Sequence, residues 1–430
     1  CHTTQARETP VEPPRSFEHA PALDADRIPA PVRAAALELA SGTGAGYVYD
    51  PALAADRART LRKALPDWAR VYFAVKANGF DPVLAHLAEA VDGFEAASLR
   101  EARASLAALR ERRGGPGGRI AVSGPGKSPE LLAGLAALRA RGADIAVNLE
   151  SVLEAHRASA AAVAAGTVLP VTVRVNPARV PVRGSLVMGG VPGPFGIPEA
   201  EVPAAVAAVR ALPGLDLAGF HVHAVSGNTD AAAHAAYVLW CLEWARTAAD
   251  RHGVDLRTVD VGGGLGVPFE AGDGAFDLEG FGAALAAVPD PGVEVVFEPG
   301  RWIGAPAGWY AARVTDVKQA YGGTFAVVRG GINHFQLPTS WEIRHTFAVL
   351  EDDTWPAGTP RPAARGASVT VSGELCTPED VLARDVRVGS VRAGDVLVFP
   401  NAGAYGFEFA MPAFLGHPPA VRTTVDSRLP

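Results

Sequence analysis

Between residues 71 and 300 the chain repeats one pattern eight times: a short apolar, β-branched run, then a stretch rich in Ala, Leu, Arg and Glu. The runs are VYFAVKA (71–77), GFEAAS (93–98), RIAVSG (119–124), DIAVNL (144–149), VTVRVNP (171–177), GFHVHAV (219–225), TVDVGGG (258–264) and VEVVFEPG (293–300). Helical stretches such as DPVLAHLAEA and LLAGLAALRARG lie between them. Strands joined by helices pair in parallel, and eight such units fit a closed (β/α)8 TIM barrel, with a doubly wound open sheet as the rival.

The chain has 430 residues, more than one ordinary core, so two domains are expected. Beyond residue 310 the helical pattern fades. YAARVTDVKQA, TFAVVRGG, ASVTVSGELC and DVLVFPNAGAYG are strand-like and separated by Gly, Pro and Asp turns, which predicts a β-rich second domain. Residues 1–30 are polar and proline-rich and read as a flexible arm. The expected organisation is an arm (1–30), an α/β barrel (31–309, its first strand open to either domain) and a β-sandwich or barrel-like domain (310–430).

The net charge of −7 comes without a basic block, so nucleic acid is not an expected partner. No run of 18 apolar residues predicts a membrane span. The three cysteines, Cys1, Cys241 and Cys376, form no disulfide framework, which points to a reducing, cytoplasmic compartment. A chain starting at Cys1 is read as trimmed rather than lipid-modified.

In a parallel barrel, chemistry sits at the C-terminal ends of the strands. The polar residues of the eight runs fall there: Lys76, Asn78, Glu95, Ser98, Ser123, Asn148, Arg174, Asn176, His221, His223, glycines 262–264, Glu298 and Arg301. VGGGLG (261–266) suits either a phosphate cradle or a tight turn. FEPGR (297–301) sets a carboxylate and a guanidinium after strand eight, where barrels often bind phosphate, with a plain salt-bridged turn as the alternative. In HVHAVSG (221–227) the two histidines share a face. They suit a flat cofactor ring at least as well as a metal, for which no third ligand has the spacing, and no metal is expected. AVSGPGKS (121–128) fits a nucleotide P-loop only loosely, because Ala121 stands at the first glycine position. Cys376, in SGELCTPEDVL, lies in a predicted loop and is either a working thiol or an inert one. Tyr405, in NAGAYGF, is either a phosphate donor or a packed phenol.

Lysine at the end of a core strand needs a partner or a use. A desolvated lysine has a lowered pKa and can form a Schiff base with an aldehyde. With a phosphate cradle, a carboxylate for a pyridine nitrogen and a stackable histidine, Lys76 has what pyridoxal 5′-phosphate (PLP) requires.

On AVKAN (74–78), GFEAAS, HVHAVSG, DVGGGLG (260–266), EPGR (298–301), GELC (373–376) and GAYG (403–406), the chain resembles the fold-type III PLP enzymes of the ornithine/diaminopimelate decarboxylase type, whose barrel is alanine racemase-like. The resemblance covers nearly everything after about residue 40. It implies that Lys76 carries the cofactor and His223 stacks on its ring. It implies that Ser226, Gly263, Gly264, Gly300, Arg301 and Tyr405 hold the phosphate, that Glu298 meets the pyridine nitrogen, and that Arg174 lies on the site floor. Cys376 would reprotonate the α-carbon after CO2 leaves, reaching the site from a second subunit, which implies a homodimer with shared active sites.

Cys376 is followed by Thr377 and Pro378, where decarboxylases of free diamino acids carry an acidic residue. MGGVPGPFGIP (188–198), RGGINHFQLPTSWEIRH (329–345), GELCTPEDVLARD (373–385) and FLGHPP (414–419) resemble instead siderophore-biosynthesis decarboxylases of the staphyloferrin B type. The implied reaction removes the α-carboxylate of an amino acid or amino-acid conjugate in siderophore-like or other specialised metabolism. Alternatives are a carrier-protein-bound aminoacyl group, which would make a carrier protein a partner, or a free amino acid. One departure stands out. Residues 407–412, FEFAMP, replace a histidine-rich segment of that branch, predicting a drier pocket and a substrate other than a citrate conjugate. Rival classes are a PLP racemase, a non-catalytic PLP-binding protein and a metal-dependent hydrolase on the same barrel.

Overall fold

The computed structural model describes residues 21–113, 119–182, 186–269 and 273–428. The first strand, β1 (Ala45–Tyr49), precedes the barrel in sequence but lies in another sheet. The barrel strands follow: β2 (Ala69–Ala74), β3 (Gly93–Ala96), β4 (Arg119–Val122), β5 (Asp144–Leu149), β6 (Leu169–Asn176), β7 (Leu215–His221), β8 (Thr258–Asp260) and β9 (Glu294–Phe297). Each pairs in parallel with the next, β9 pairs with β2, and β5 with β6, so the sheet closes. That closure excludes the open-sheet rival.

The runs were readable because both faces of these strands are covered. Outward rings pack on the helices. Phe220 of β7 meets Trp244 of the helix Ala231–His252, and Phe297 of β9 meets Phe281 of the helix Leu278–Ala286, both edge-on. Each such ring, fully buried, contributes roughly 1.5–3 kcal/mol. Tyr72, Ala121 and Val296, two or three residues in from the strand starts, form a small buried apolar cluster of their own. There the Tyr72 hydroxyl donates to Glu294 Oε1 (3.2 Å) and Arg119 Nη1 pairs with Glu294 Oε2 (2.5 Å). The polar residues collect at the opposite end of the strands.

The second domain is built on β10 (Gly308–Ala320), a long bent strand. Its first half pairs antiparallel with β1 and with β15 (Val396–Phe399). After an irregularity between Val314 and Asp316, its second half pairs with β11 (Gly323–Val328). The sheet continues through β13 (Ala363–Ser372) to β14 (Val381–Arg392), while β12 (Ala348–Leu350) flanks β15 and β16 (Val421–Thr424) runs parallel to β1. Asp50, just after β1, caps the next helix through the Leu53 N–H (2.9 Å) and accepts the Ser427 N–H (2.8 Å), tying the last described residues to the end of β1.

Candidate active site

A cavity of about 720 Å³ opens at the C-terminal ends of the barrel strands. Its wall includes Lys76, Glu95, Ser123, Arg174, His221, His223, Ser226 and Glu298 from the barrel, and Trp341, Tyr405, Phe407 and Glu408 from the second domain.

Lys76 sits in a single 3-10 turn (Val75–Ala77) immediately after β2 rather than in the strand itself. Three hydrogen bonds stitch this turn to the second domain. The Tyr405 N–H donates to Ala77 O (2.7 Å), Asn78 Nδ2 to Gly403 O (2.9 Å) and the Gly79 N–H to Glu408 Oε1 (3.0 Å). Tyr405 takes a left-handed backbone (φ +58°), unusual for a residue with a Cβ and typical of functional segments held by their surroundings.

Lys76 Nζ is 2.9 Å from Glu95 Oε2, and Glu95 is fully buried in β3. The sequence predicts a lowered lysine pKa, and here the structure corrects it. Burial does pull the ammonium down, but Glu95, then Tyr405 and Glu298, outweigh it, and the net direction is up. A buried carboxylate in contact favours the charged form more than desolvation opposes it. Without a cofactor aldehyde, Lys76 is therefore an ammonium. Glu95 was visible as a strand-end carboxylate, but nothing in its spacing assigned it to Lys76.

Beneath lies a polar layer. Asn148 Nδ2 donates to Ser123 Oγ (2.8 Å) and to Asp260 Oδ2 (3.3 Å), and the Gly262 N–H donates to Asp260 Oδ1 (2.9 Å). Burial pushes the Asp260 carboxyl up to about 6, against hydrogen bonds from Glu298, Gly262 and Asn148. Glu298 is pushed well above the usual carboxylate range by burial first and then by Asp260 and Glu95. Its Oε1 is buried without a hydrogen bond. A cation placed against it would reverse that cost.

His223 accepts the Gly263 N–H at Nδ1 (3.0 Å), which puts the ring proton on Nε2. Gly262 (φ +68°) is required here, because a Cβ would lie 2.2 Å from His223 Nδ1. Burial, then Lys76, Arg174 and His234, hold His223 far below the ordinary histidine range, so the ring is neutral. Gly263 thus spends its N–H on His223, whereas the family resemblance groups it with Gly264 as a phosphate donor. Gly264 (φ +99°) leaves no room for a Cβ beside His234 and the Val225 carbonyl.

The fold also brings a third potential ligand, Glu298, to the two histidines. Ligand atoms of His221, His223 and Glu298 all lie within 4.8 Å of one another. These three line the same cavity as Lys76, so the cluster belongs to one site. Arg174 pairs with Glu150 Oε1 (2.5 Å) and lies 4.9 Å from the Phe195 ring centroid, on the cavity wall. Lys127, the lysine of the P-loop-like stretch, is buried on Gly124 O (2.8 Å), Asn148 O (2.7 Å) and Glu154 (2.8 Å). It is a structural cation, and that nucleotide reading falls.

Arg301 is buried, and Nε, Nη1 and Nη2 have no hydrogen-bond partner. Its guanidinium lies 4.4 Å from the Trp341 ring and 4.9 Å from Tyr405, behind the cavity wall. A Cβ on Gly300 would stand 3.2 Å from the Tyr405 hydroxyl. An enclosed, unpaired guanidinium beside a phenol and glycine turns is costly unless an anion completes it. Ser226 reaches the wall as well. These residues fit a phosphorylated, cationic ring: Arg301, Tyr405 and the glycine turns would hold its phosphate, Glu298 with its unpartnered Oε1 would meet its cationic nitrogen, and Lys76 its aldehyde. Cys376 does not join them. It is exposed on its loop and outside the cavity wall of its own chain.

Three comparisons converge on this arrangement. Residues 53–305 match the family described as pyridoxal-dependent decarboxylase, pyridoxal binding domain. The 2-[(L-alanin-3-ylcarbamoyl)methyl]-2-hydroxybutanedioate decarboxylase of Staphylococcus aureus is 32% identical over 86% of this chain and 92% of its own length. The L-glutamyl-[BtrI acyl-carrier protein] decarboxylase of Niallia circulans is 29% identical over 86% of each. Among solved structures, the diaminopimelate decarboxylase of Helicobacter pylori complexed with L-lysine superposes with a TM-score of 0.76 at 23% identity, over 89% of this chain and 92% of that one, which bears on the fold. The chain belongs to the pyridoxal-dependent decarboxylases. It is a PLP-dependent carboxy-lyase of amino-acid substrates, on a barrel with a β-rich second domain.

Proposed function

We propose that this decarboxylase acts on an amino-acid conjugate in siderophore-like or other specialised metabolism, as a homodimer whose sites are each completed by Cys376 of the second subunit. The observation that carries the site assignment is one cavity lined by Lys76 and Glu298, with the unpaired guanidinium of Arg301 buried behind its Trp341 and Tyr405 wall. When bound, PLP supplies the electron sink that accepts the pair left by CO2.

The chain's own residues do the rest. Lys76 would hold the cofactor through its Nζ, and Glu298 would hold a proton at the ring nitrogen. His223, oriented by the Gly263 N–H, would offer its ring face to the cofactor. Arg301, Tyr405, Ser226, Gly264 and Gly300 receive the phosphate, and Arg174, anchored by Glu150, forms the floor. Cys376 delivers a proton to the α-carbon. Its exposure on a surface loop, away from its own cavity, supports delivery across a subunit boundary.

The substrate reading draws on the relatives. One is named for a 2-hydroxybutanedioate carrying an alanin-3-ylcarbamoyl group, the other for a glutamyl group on an acyl-carrier protein. A carrier-bound aminoacyl group is accordingly the second reading. No described helix is long and apolar enough to cross a membrane, in keeping with a cytoplasmic place of work. The test is a mass-spectrometric screen of the PLP-loaded protein for CO2 loss from free diamino acids, citryl-diaminopropionate and carrier-bound glutamate. Release from either conjugate and not from free diamino acids is expected. Turnover of free diaminopimelate or ornithine alone would overturn the conjugate reading.

A further inference from the structure

The segment Phe407–Pro412 reads as apolar, yet the wall it forms is not without charge. Arg422, on β16, lines the cavity and lies 4.0 Å from the Phe407 ring centroid and 4.4 Å from that of Phe80. Among the described residues no carboxylate forms an ion pair with it. Stacked phenyl rings hold a guanidinium by its faces and leave its edge N–H groups for a planar, bidentate acceptor. Arg100 is also on this wall, with a guanidinium nitrogen 3.9 Å from where a Gly79 Cβ would stand, and it too has no ion pair among the described residues.

The opposing charge here is Glu408. Its Oε1 is tied to the Gly79 N–H and its Oε2 is buried without a partner. Burial raises its carboxyl to about 7 even though Arg422 and Arg100 pull it down. Near neutrality it therefore cancels only part of two fixed cations. Glu101, the other carboxylate nearby, is turned to the Ala97 N–H (2.7 Å). Of the two guanidiniums on this wall, Arg422 is the one presented beside aromatic rings, while Glu101 and Glu408 are both engaged by backbone N–H groups.

We propose that Arg422, supported by Arg100, receives a carboxylate on the non-reacting end of the substrate, so that the enzyme takes an α-amino acid extended by an acidic group rather than by a terminal amine. This deepens the function proposed above and rests on that site. It also revises the drier pocket expected from FEFAMP: the cation lost with the histidine-rich segment is returned from a distant strand, β16.

The test is calorimetric titration of the PLP-loaded protein with tricarballylate, which has three carboxylates and no amine, and with 1,3-diaminopropane, its cationic counterpart. Tricarballylate binds and the diamine does not. Arg422→Gln weakens tricarballylate about 10- to 100-fold, the loss expected for a charge-assisted pair, and Arg422→Lys recovers part of it. The visible cofactor band stays unchanged in both variants, which shows that the barrel site is intact. Preference for the diamine, or tricarballylate affinity indifferent to Arg422→Gln, overturns the proposal. Absence of the cofactor band from the wild-type protein is a separate result, and it would sink the PLP site rather than the acid-binding wall.

Discussion

The two domains build one cavity in two different ways. The barrel contributes side chains locked into a buried polar layer, where Asn148 is hydrogen-bonded to Ser123 and Asp260 and where burial strongly displaces the proton affinities of Asp260, Glu298 and His221. The β domain contributes rings and long charged side chains: Trp341, Phe407, Glu408, Arg422. The first arrangement suits a cofactor that never changes, and the second a substrate that differs between relatives. Changes in the barrel should therefore act on the cofactor, and changes in the β-domain wall on substrate affinity or pH response.

The largest effect falls at Lys76. Lys76→Ala should abolish the visible cofactor band and lower turnover by at least ~10⁴-fold, since no other described amine lines the cavity. A cofactor band that survived without added amine would remove Lys76 from its role.

Cys376 breaks the domain rule in an informative way, being exposed and on the β domain. Cys376→Ala should cut decarboxylation about 100-fold while the band persists. Mixing it with inactive Lys76→Ala subunits should restore activity toward about a quarter of wild type, because about half the dimers are then mixed and each mixed dimer carries one complete site of its two. No recovery on mixing would place the thiol within its own subunit.

Arg301→Gln comes next. It leaves the barrel folded and should weaken cofactor binding about 10- to 100-fold in equilibrium dialysis, by loss of a charge-assisted contact. Retention of wild-type affinity would mean that the buried guanidinium serves its aromatic neighbours only.

Glu408 gives the smallest effect and the sharpest contrast with the barrel carboxylates. Its pKa is raised in the folded chain, so the native state holds this proton more tightly than the unfolded state. Its stabilising contribution is therefore present at acid pH and is lost as pH rises from the ordinary 4.5 towards 7. Urea midpoints should show the wild type losing on the order of 2 kcal/mol relative to Glu408→Gln across that window. Parallel pH profiles for the two proteins would disprove it.

How far the sequence carried differs in the same way. All eight barrel strands were legible, because a strand covered on both faces reads as a continuous apolar run. So were the polar strand ends, since alternation and the closed barrel send them to one rim. The longest missed strand is β14, VLARDVRVGSVR, where arginines, an aspartate and a glycine interrupt the apolar positions because much of the strand faces solvent. Pairings across the chain were illegible for a plainer reason. Nothing local joins Lys76 to Glu95, brings Glu298 to the two histidines, or delivers Arg422 to Phe80. Those contacts exist only once the barrel has closed and the second domain has docked.

The placement of β1 has a consequence for how the molecule comes into being. This strand sits between β10 and β16, so the entire barrel is an insertion between two adjacent strands of one sheet. During synthesis β1 emerges first and must wait, unpaired, while every barrel unit is made. The β domain then completes itself only when the C-terminal residues arrive. Contacts of such high sequence separation are slow to form and leave a strand edge exposed in the meantime. The barrel can assemble from neighbours in order, whereas the second domain's share of the cavity wall is the last part of the cavity to exist.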